Sequence, residues 1–190
     1  DKIRYMAYAD GDLAINDGRA GDFAWNNPPK VDDPKSYDKL KLHLAYILTI
    51  PGVPIIYYGD EIGMTGAADP DNRRMMRFGY DLDKNEIQAF EDVSKLIHIR
   101  KENSALRYGD FLTLQADENI YAYIRSDMNE RVLIIVNKNS NQQNVEFTLP
   151  GMYKITKAKN LVDGKEFSVN ENSIKLDIDG SKYFILELEK

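Results

Sequence analysis

The chain has 190 residues, a formal net charge of −6 and no cysteine. That acidic balance argues against nucleic acid or an anionic membrane as partner, and the lack of thiols excludes disulfides and thiolate catalysis. The longest apolar run falls far short of the roughly 20 residues that cross a bilayer, so no membrane-spanning segment is expected.

From the N-terminus, residues 2–8 are mixed in character, and Ala9-Asp10-Gly11-Asp12 breaks the pattern. A polar stretch with Gly18, Gly21, Asn26, Asn27, Pro28 and Pro29 reads as an extended loop. Asp33-Pro34 then announces a helix, with an N-cap followed by proline at the first helical position. Tyr37, Leu40, Leu44, Ile47 and Leu48 recur at spacings of three and four, giving one buried stripe that Pro51-Gly52 ends. The short apolar run Val53–Tyr57 predicts a fully buried strand. A charged, glycine-bearing loop runs from Gly59 to about Asp83. A second helix is expected over about Asn85–Glu102, with Ile87, Phe90, Val93, Leu96, Ile97 and the stem of Arg100 as its buried face. Together these elements describe about one unit of a parallel α/β structure.

The character changes after Ser104. Strands are expected over Phe111–Gln115, Ile120–Arg125, Val132–Asn137, Val145–Leu149, Met152–Ala158, Ile174–Ile178 and Tyr183–Glu189. Turn-formers such as Pro150-Gly151 and Asp179-Gly180 separate them, as in an antiparallel sandwich or barrel. The domain boundary is placed at 103/104.

Chemistry is concentrated in the loop after Val53–Tyr57, because functional loops of parallel α/β folds leave the sheet at the carboxyl ends of strands. Asp69 and Arg73, four residues apart, can present an acceptor and a forked donor to a sugar diol; a loop salt bridge is the plainer account of the spacing. Asp60 and Glu61 are adjacent and point apart, so one of them caps the loop or binds an arginine rather than forming a catalytic pair. His43 and His98 fall on helices as packing or surface residues. The acidic pairs Asp10/Asp12 and Asp32/Asp33 read as solvated loops rather than a calcium site. Tyr121 and Tyr123 alternate correctly for a sugar platform on one sheet face, although such a stripe is more often core.

Pro51–Met64, "PGVPIIYYGDEIGM", resembles the eighth barrel strand of the α-amylase family of glycoside hydrolases, in particular its maltogenic amylase, neopullulanase and cyclomaltodextrinase-like members. "DPDNRRMM", Asp69–Met76, is similar to the loop that follows there. "KLIHIRKENSALRYGDF", Lys95–Phe111, resembles the last barrel helix and its exit into an all-β domain. The resemblance implies that Asp69 and Arg73 contact glucose units on the non-reducing side of the cleavage point. It also implies that Asp1, which opens "DKIRYMAYADGDL", is the third catalytic carboxylate, a transition-state stabiliser.

By the same resemblance, residues 1–103 are the C-terminal part of a catalytic (β/α)8 TIM barrel, contributing its final β/α unit, and residues 104–190 an antiparallel β-sandwich. Family members are retaining enzymes, and their nucleophilic Asp and general-acid Glu lie upstream of everything present. A whole barrel needs roughly 250 residues. The expectation is therefore the C-terminal portion of a longer α-1,4-glucan hydrolase acting on starch, maltooligosaccharides or cyclodextrins, and inactive alone. Its partners would be the α-glucan and the remainder of the barrel. No cofactor is expected in this chain, and any Ca2+ site would lie in the missing N-terminal part. The alternatives are a non-catalytic carbohydrate-binding or interaction module and a barrel-bearing transporter subunit without hydrolysis.

Overall fold

A computed structural model describes residues 2–190, so the catalytic assignment of Asp1 lies outside the described residues. The chain divides into two compact units. One holds the residues up to His43 together with Ile55–Ser94, and the other holds Leu44–Pro54 together with Lys95–Lys190.

In the first unit, α1 (Tyr5–Asp10) buries Met6, Ala7 and Ala9. Helix α2 (Ala20–Asn26) lies inside the stretch expected to be a loop. Its Ala20, Phe23 and Ala24 share one face and pack with Leu13 and Ala67. That short i, i+3, i+4 pattern stabilises a helix through tertiary contact, which local glycines obscure in the sequence. Helix α3 (Ser36–Thr49), whose residues from Leu44 onward belong to the second unit, starts where Asp33 Oδ1 accepts the Lys35 amide at 2.9 Å, and Tyr37, Leu40, Leu44 and Leu48 are buried as their spacing predicts. His43 stacks on Tyr5 at 3.9 Å between centroids.

Helix α4 (Lys84–Glu102) is rotated from the expected face. Val93, Leu96 and Arg100 are buried as expected, but their companions are Glu86, Ala89 and Ile99, while Ile87, Phe90 and Ile97 are exposed. A buried Glu86 is tolerable because it accepts from Arg77 Nη1 at 2.9 Å and from the Asp83 amide at 2.9 Å.

The expected strand at Val53–Tyr57 is not one. The segment carries no ladder hydrogen bonds, and Val53 and Ile55 are 89% and 83% exposed. A strand exists only through the ladder its neighbours complete, and none pairs with this segment among the described residues. The final β/α unit of a barrel is therefore not formed here. Among the described residues no helix is long and apolar enough to cross a membrane.

The second unit is antiparallel β. It comprises β1 (Asp110–Ala116), β2 (Ile120–Ser126), β3 (Arg131–Asn137), β4 (Gln143–Thr148), β5 (Lys157–Asn160), β6 (Glu166–Ser168), β7 (Ser173–Ile178) and β8 (Tyr183–Glu189). One sheet has the order β1-β2-β3-β8-β5-β6, and the other pairs β4 with β7. Residues of both sheets, among them Ile124, Leu133, Phe147, Ile174 and Leu186, share one core. Met152–Ala158 is not a strand. Gly151–Tyr153 makes a single 3₁₀ turn, and pairing begins only at Lys157; the three-residue β6 was not expected at all.

The opposite face of β2 and β3 is also buried, under the end of α3 and under α5 (Ser104–Tyr108). Tyr123 is fully buried, and its hydroxyl lies 2.6 Å from Thr49 Oγ1, so it is core, while Tyr121 is only half-buried; the two do not form an exposed platform. Beside it Arg125, 1% exposed, donates to the carbonyls of Thr49 at 2.7 Å, Leu106 at 3.0 Å and Gly109 at 2.9 Å.

Two outcomes follow for stability. Arg125→Met leaves those carbonyls without a donor and is expected to lower unfolding free energy by on the order of 3 kcal/mol, read by denaturant titration. Burial holds the His43 imidazole below its ordinary value, so the native state binds fewer protons than the unfolded chain. Stability linked to His43 is present above the unfolded value of about 6.5 and is lost as pH falls through the native one. His43→Phe should flatten thermal stability across that acidic window.

Candidate functional site

The candidate site belongs to the first unit and is assembled from three irregular segments: Lys2–Arg4, Tyr57–Ile62 and Gly66–Arg74. Each is held by side chain to backbone bonds, because none lies in a sheet. Gly59, at φ +86°, turns the chain into the single 3₁₀ turn Asp60–Ile62. At Gly66 a Cβ would stand 2.7 Å from Asn72 Cα, so only glycine lets the two ends of the third segment approach.

Arg4 sits at the centre of the three. Its Nε donates to the Asn72 carbonyl at 2.8 Å, and its Nη1 to the Tyr58 carbonyl at 2.7 Å and to Asp60 Oδ1 at 3.1 Å. The guanidinium also lies 4.7 Å from the Tyr57 ring centroid and 4.8 Å from that of Tyr58, within cation–π range. Asn72 Nδ2 returns a bond to the Lys2 carbonyl at 2.9 Å. Burial pushes the Asp60 carboxyl above its ordinary range despite the pull of Arg4 in the other direction.

The 66–74 segment has its own brace. Asp71 accepts two bonds from Arg74, each 2.8 Å, and one from the Ala67 amide at 2.8 Å. Arg74 in turn donates to Thr65 Oγ1 and to the Pro29 carbonyl. This leaves Arg73 pointing outward, where its Nε donates to Asp69 Oδ1 at 2.8 Å. Both side chains are substantially exposed, at 57% and 37%.

Asp69 and Arg73 are therefore brought together, as an ion pair. Arg73 borders a cavity of about 420 Å³ lined also by Lys2, Arg4, Tyr57, Asp60 and Asn72. The lining mixes a forked cation, a carboxylate, an amide and an aromatic face, a combination that meets the hydroxyls and apolar faces of a small polyol. Asp60 binds an arginine, one of the two roles expected of that pair, while Glu61 Oε2 is buried without a hydrogen-bond partner among the described residues. Asn72 lies in the loop singled out in the sequence, but Arg4 is not anticipated as part of this site. The available signal was a lone arginine flanked by Ile3, Tyr5, Met6 and Ala7. Asp10 accepts the amides of Asp32 at 2.8 Å and Asp33 at 3.1 Å, while Asp12 Oδ2 is buried without a hydrogen-bond partner among the described residues. Among the described residues no cluster of three or more His, Asp or Glu is arranged to hold a metal.

The family model for the maltogenic amylase C-terminal domain matches residues 111–185. The cyclomaltodextrinase of Geobacillus thermopakistaniensis is 37% identical over 138 residues, which is 72% of this chain and 23% of that one. The maltogenic alpha-amylase of Bacillus acidopullulyticus is 34% identical over 154 residues, or 79% of this chain and 25% of that one. Among solved structures, the alpha-amylase of Geobacillus thermoleovorans complexed with acarbose superposes with a TM-score of 0.73 at 30% identity, over 83% of this chain and 34% of its own. The chain thus spans about a quarter of the length of these curated relatives. What it matches throughout is the C-terminal portion of α-amylase family enzymes.

Because the Asp69–Arg73 pair is exposed, Asp69→Ala and Arg73→Ala should each leave the melting temperature within about one degree of the parent by calorimetry.

Proposed function

We propose that this chain, which matches α-amylase family enzymes over their C-terminal portion, is part of a retaining hydrolase of α-1,4-glucans such as starch, maltooligosaccharides or cyclodextrins. The observation that carries the reading is the cavity bounded by Arg73 and by the Lys2–Arg4 segment, which follows directly on Asp1 in the chain. In this reading Asp69 and Arg73 exchange their mutual ion pair for the hydroxyls of a bound glucose unit, Asp69 accepting and Arg73 donating. In the same reading the Asp1 carboxylate stabilises the oxocarbenium-like transition state. The nucleophilic and proton-donating carboxylates of a retaining mechanism come from the remainder of the barrel.

The exposed apolar side chains support that partner. Ile55, Tyr57, Ile87 and Phe90 of the first unit all face solvent, as residues do whose covering elements lie elsewhere. The module alternative finds no such support, since Tyr123 is core.

The test is hydrolysis of maltotriose and cyclodextrin by the natural polypeptide that carries these residues. Its intact mass should exceed 21.8 kDa several-fold. Asp1→Asn is expected to lower kcat by on the order of 100-fold, and Arg73→Ala to raise KM about tenfold. The 190-residue chain by itself should show no turnover; turnover proportional to its concentration would overturn the reading.

A further inference from the structure

Among the described residues, the side chain of Arg73 is hydrogen-bonded to Asp69 alone. Where its guanidinium stands at the cavity is therefore decided by where residues 72 and 73 are placed. That placement is not made by a sheet or by a long helix. The turn Asp71–Arg73 is three residues long, and the Asp60–Ile62 turn is no longer. Both are tied to one side chain, and the Asp71–Arg73 turn is braced besides by the Asp71–Arg74 pair.

Arg4 is 4% exposed, and its guanidinium bonds outward to two carbonyls on separate segments, those of Tyr58 and Asn72, and to the Asp60 carboxylate. Its own amide donates to the Gly66 carbonyl at 2.9 Å, and Asn72 Nδ2 closes the loop back to the Lys2 carbonyl. The Tyr57 and Tyr58 rings, their centroids 4.6 Å apart, both lie within cation–π range of its guanidinium. Removing this one side chain releases the Tyr58 and Asn72 carbonyls and the Asp60 charge at once.

We propose that Arg4 is a positioning residue of the glucan site: it fixes the turn that carries Arg73 against the Lys2–Arg4 segment, and so sets the geometry in which Arg73 meets sugar. The proposal rests on the reading of the cavity as part of a glucan site. Arg4 does not bind the sugar itself. Its planar fork is what the role requires, because two carbonyls and a carboxylate are bonded from fixed directions; a lysine ammonium on a flexible stem does not reproduce that arrangement. Displacements of about 1 Å are enough to lose a well-aligned contact.

The experiment is steady-state kinetics of the natural polypeptide on maltotriose, with folding checked by circular dichroism at the assay temperature. The variants are Arg4→Gln, Arg4→Lys, Asp60→Asn, Arg73→Ala and the double variant Arg4→Gln/Arg73→Ala. Arg73→Ala alone should raise KM about tenfold. Arg4→Gln should raise KM by a comparable factor with a smaller change in kcat, and Arg4→Lys should not rescue it. The double variant should be little worse than Arg73→Ala alone, because both changes remove the same contact. If the folded Arg4→Gln enzyme keeps its KM, or if the two effects multiply, Arg4 is a stability residue only and the proposal is overturned. Should both Arg4 variants fail to fold, Asp60→Asn decides, with a several-fold rise in KM supporting the role and an unchanged KM refuting it. An unchanged KM in Arg73→Ala overturns the glucan reading itself, and the positioning role with it.

Discussion

A buried guanidinium bonded to backbone carbonyls is the constraint on which both units depend. In the first unit Arg4 joins segments that have no ladder of their own. In the second, Arg100 donates to the carbonyls of Leu48 at 2.8 Å and Gly52 at 2.6 Å, and Arg125 donates to Thr49. Those acceptors lie at and just beyond the C-terminal end of α3, where a helix leaves its last carbonyls unsatisfied and carries partial negative charge. Burial pulls both Arg100 and Arg125 below the ordinary arginine value, Arg107 adding repulsion at the first and Arg100 at the second. Both remain protonated far above neutral pH, so the desolvation of the charge is offset by carbonyl dipoles rather than by a carboxylate.

Satisfaction of backbone groups also explains why similar apolar runs have opposite fates. Val132–Val136 and Val53–Tyr57 are both short and rich in β-branched and aromatic residues. The first pairs with β2 on one side and β8 on the other, and every residue in it is buried. The second has no pairing neighbour and stands in solvent. Composition sets what a segment is able to become, and the availability of an edge sets what it is.

That distinction accounts for how much of the fold was legible. The α3 stripe and most β-domain strands were readable because period and burial agree there; β7 alternates buried and exposed residues without a break. The α4 face was misread because apolar Ile87 and Phe90 outrank Glu86 in any hydropathy pattern, whereas Arg77 makes the carboxylate the buried residue. Helix α2, six residues past Ala14 and carrying a glycine, is held by contacts that no local pattern announces. In the site, the Asp69–Arg73 spacing gave the pair directly. Arg4 was not legible, because its partners at 58, 60 and 72 lie 54 to 68 residues away in the chain.

The contrast between Arg4 and Arg73 is itself a division of labour that electrostatics allows. An exposed ion pair contributes little net free energy, since water already solvates both charges. On the proposed glucan reading, Asp69 and Arg73 would turn from each other to a ligand's hydroxyls with small loss of free energy. A buried arginine has the opposite character, because breaking its bonds strands a charge and several carbonyls away from water. Exchange is cheap at the surface and costly beneath it. A turn that presents an exchangeable pair on a fixed base needs both, and Asn72, bonded to Arg4 through its carbonyl and adjacent to Arg73 in the chain, is the residue through which the two are joined.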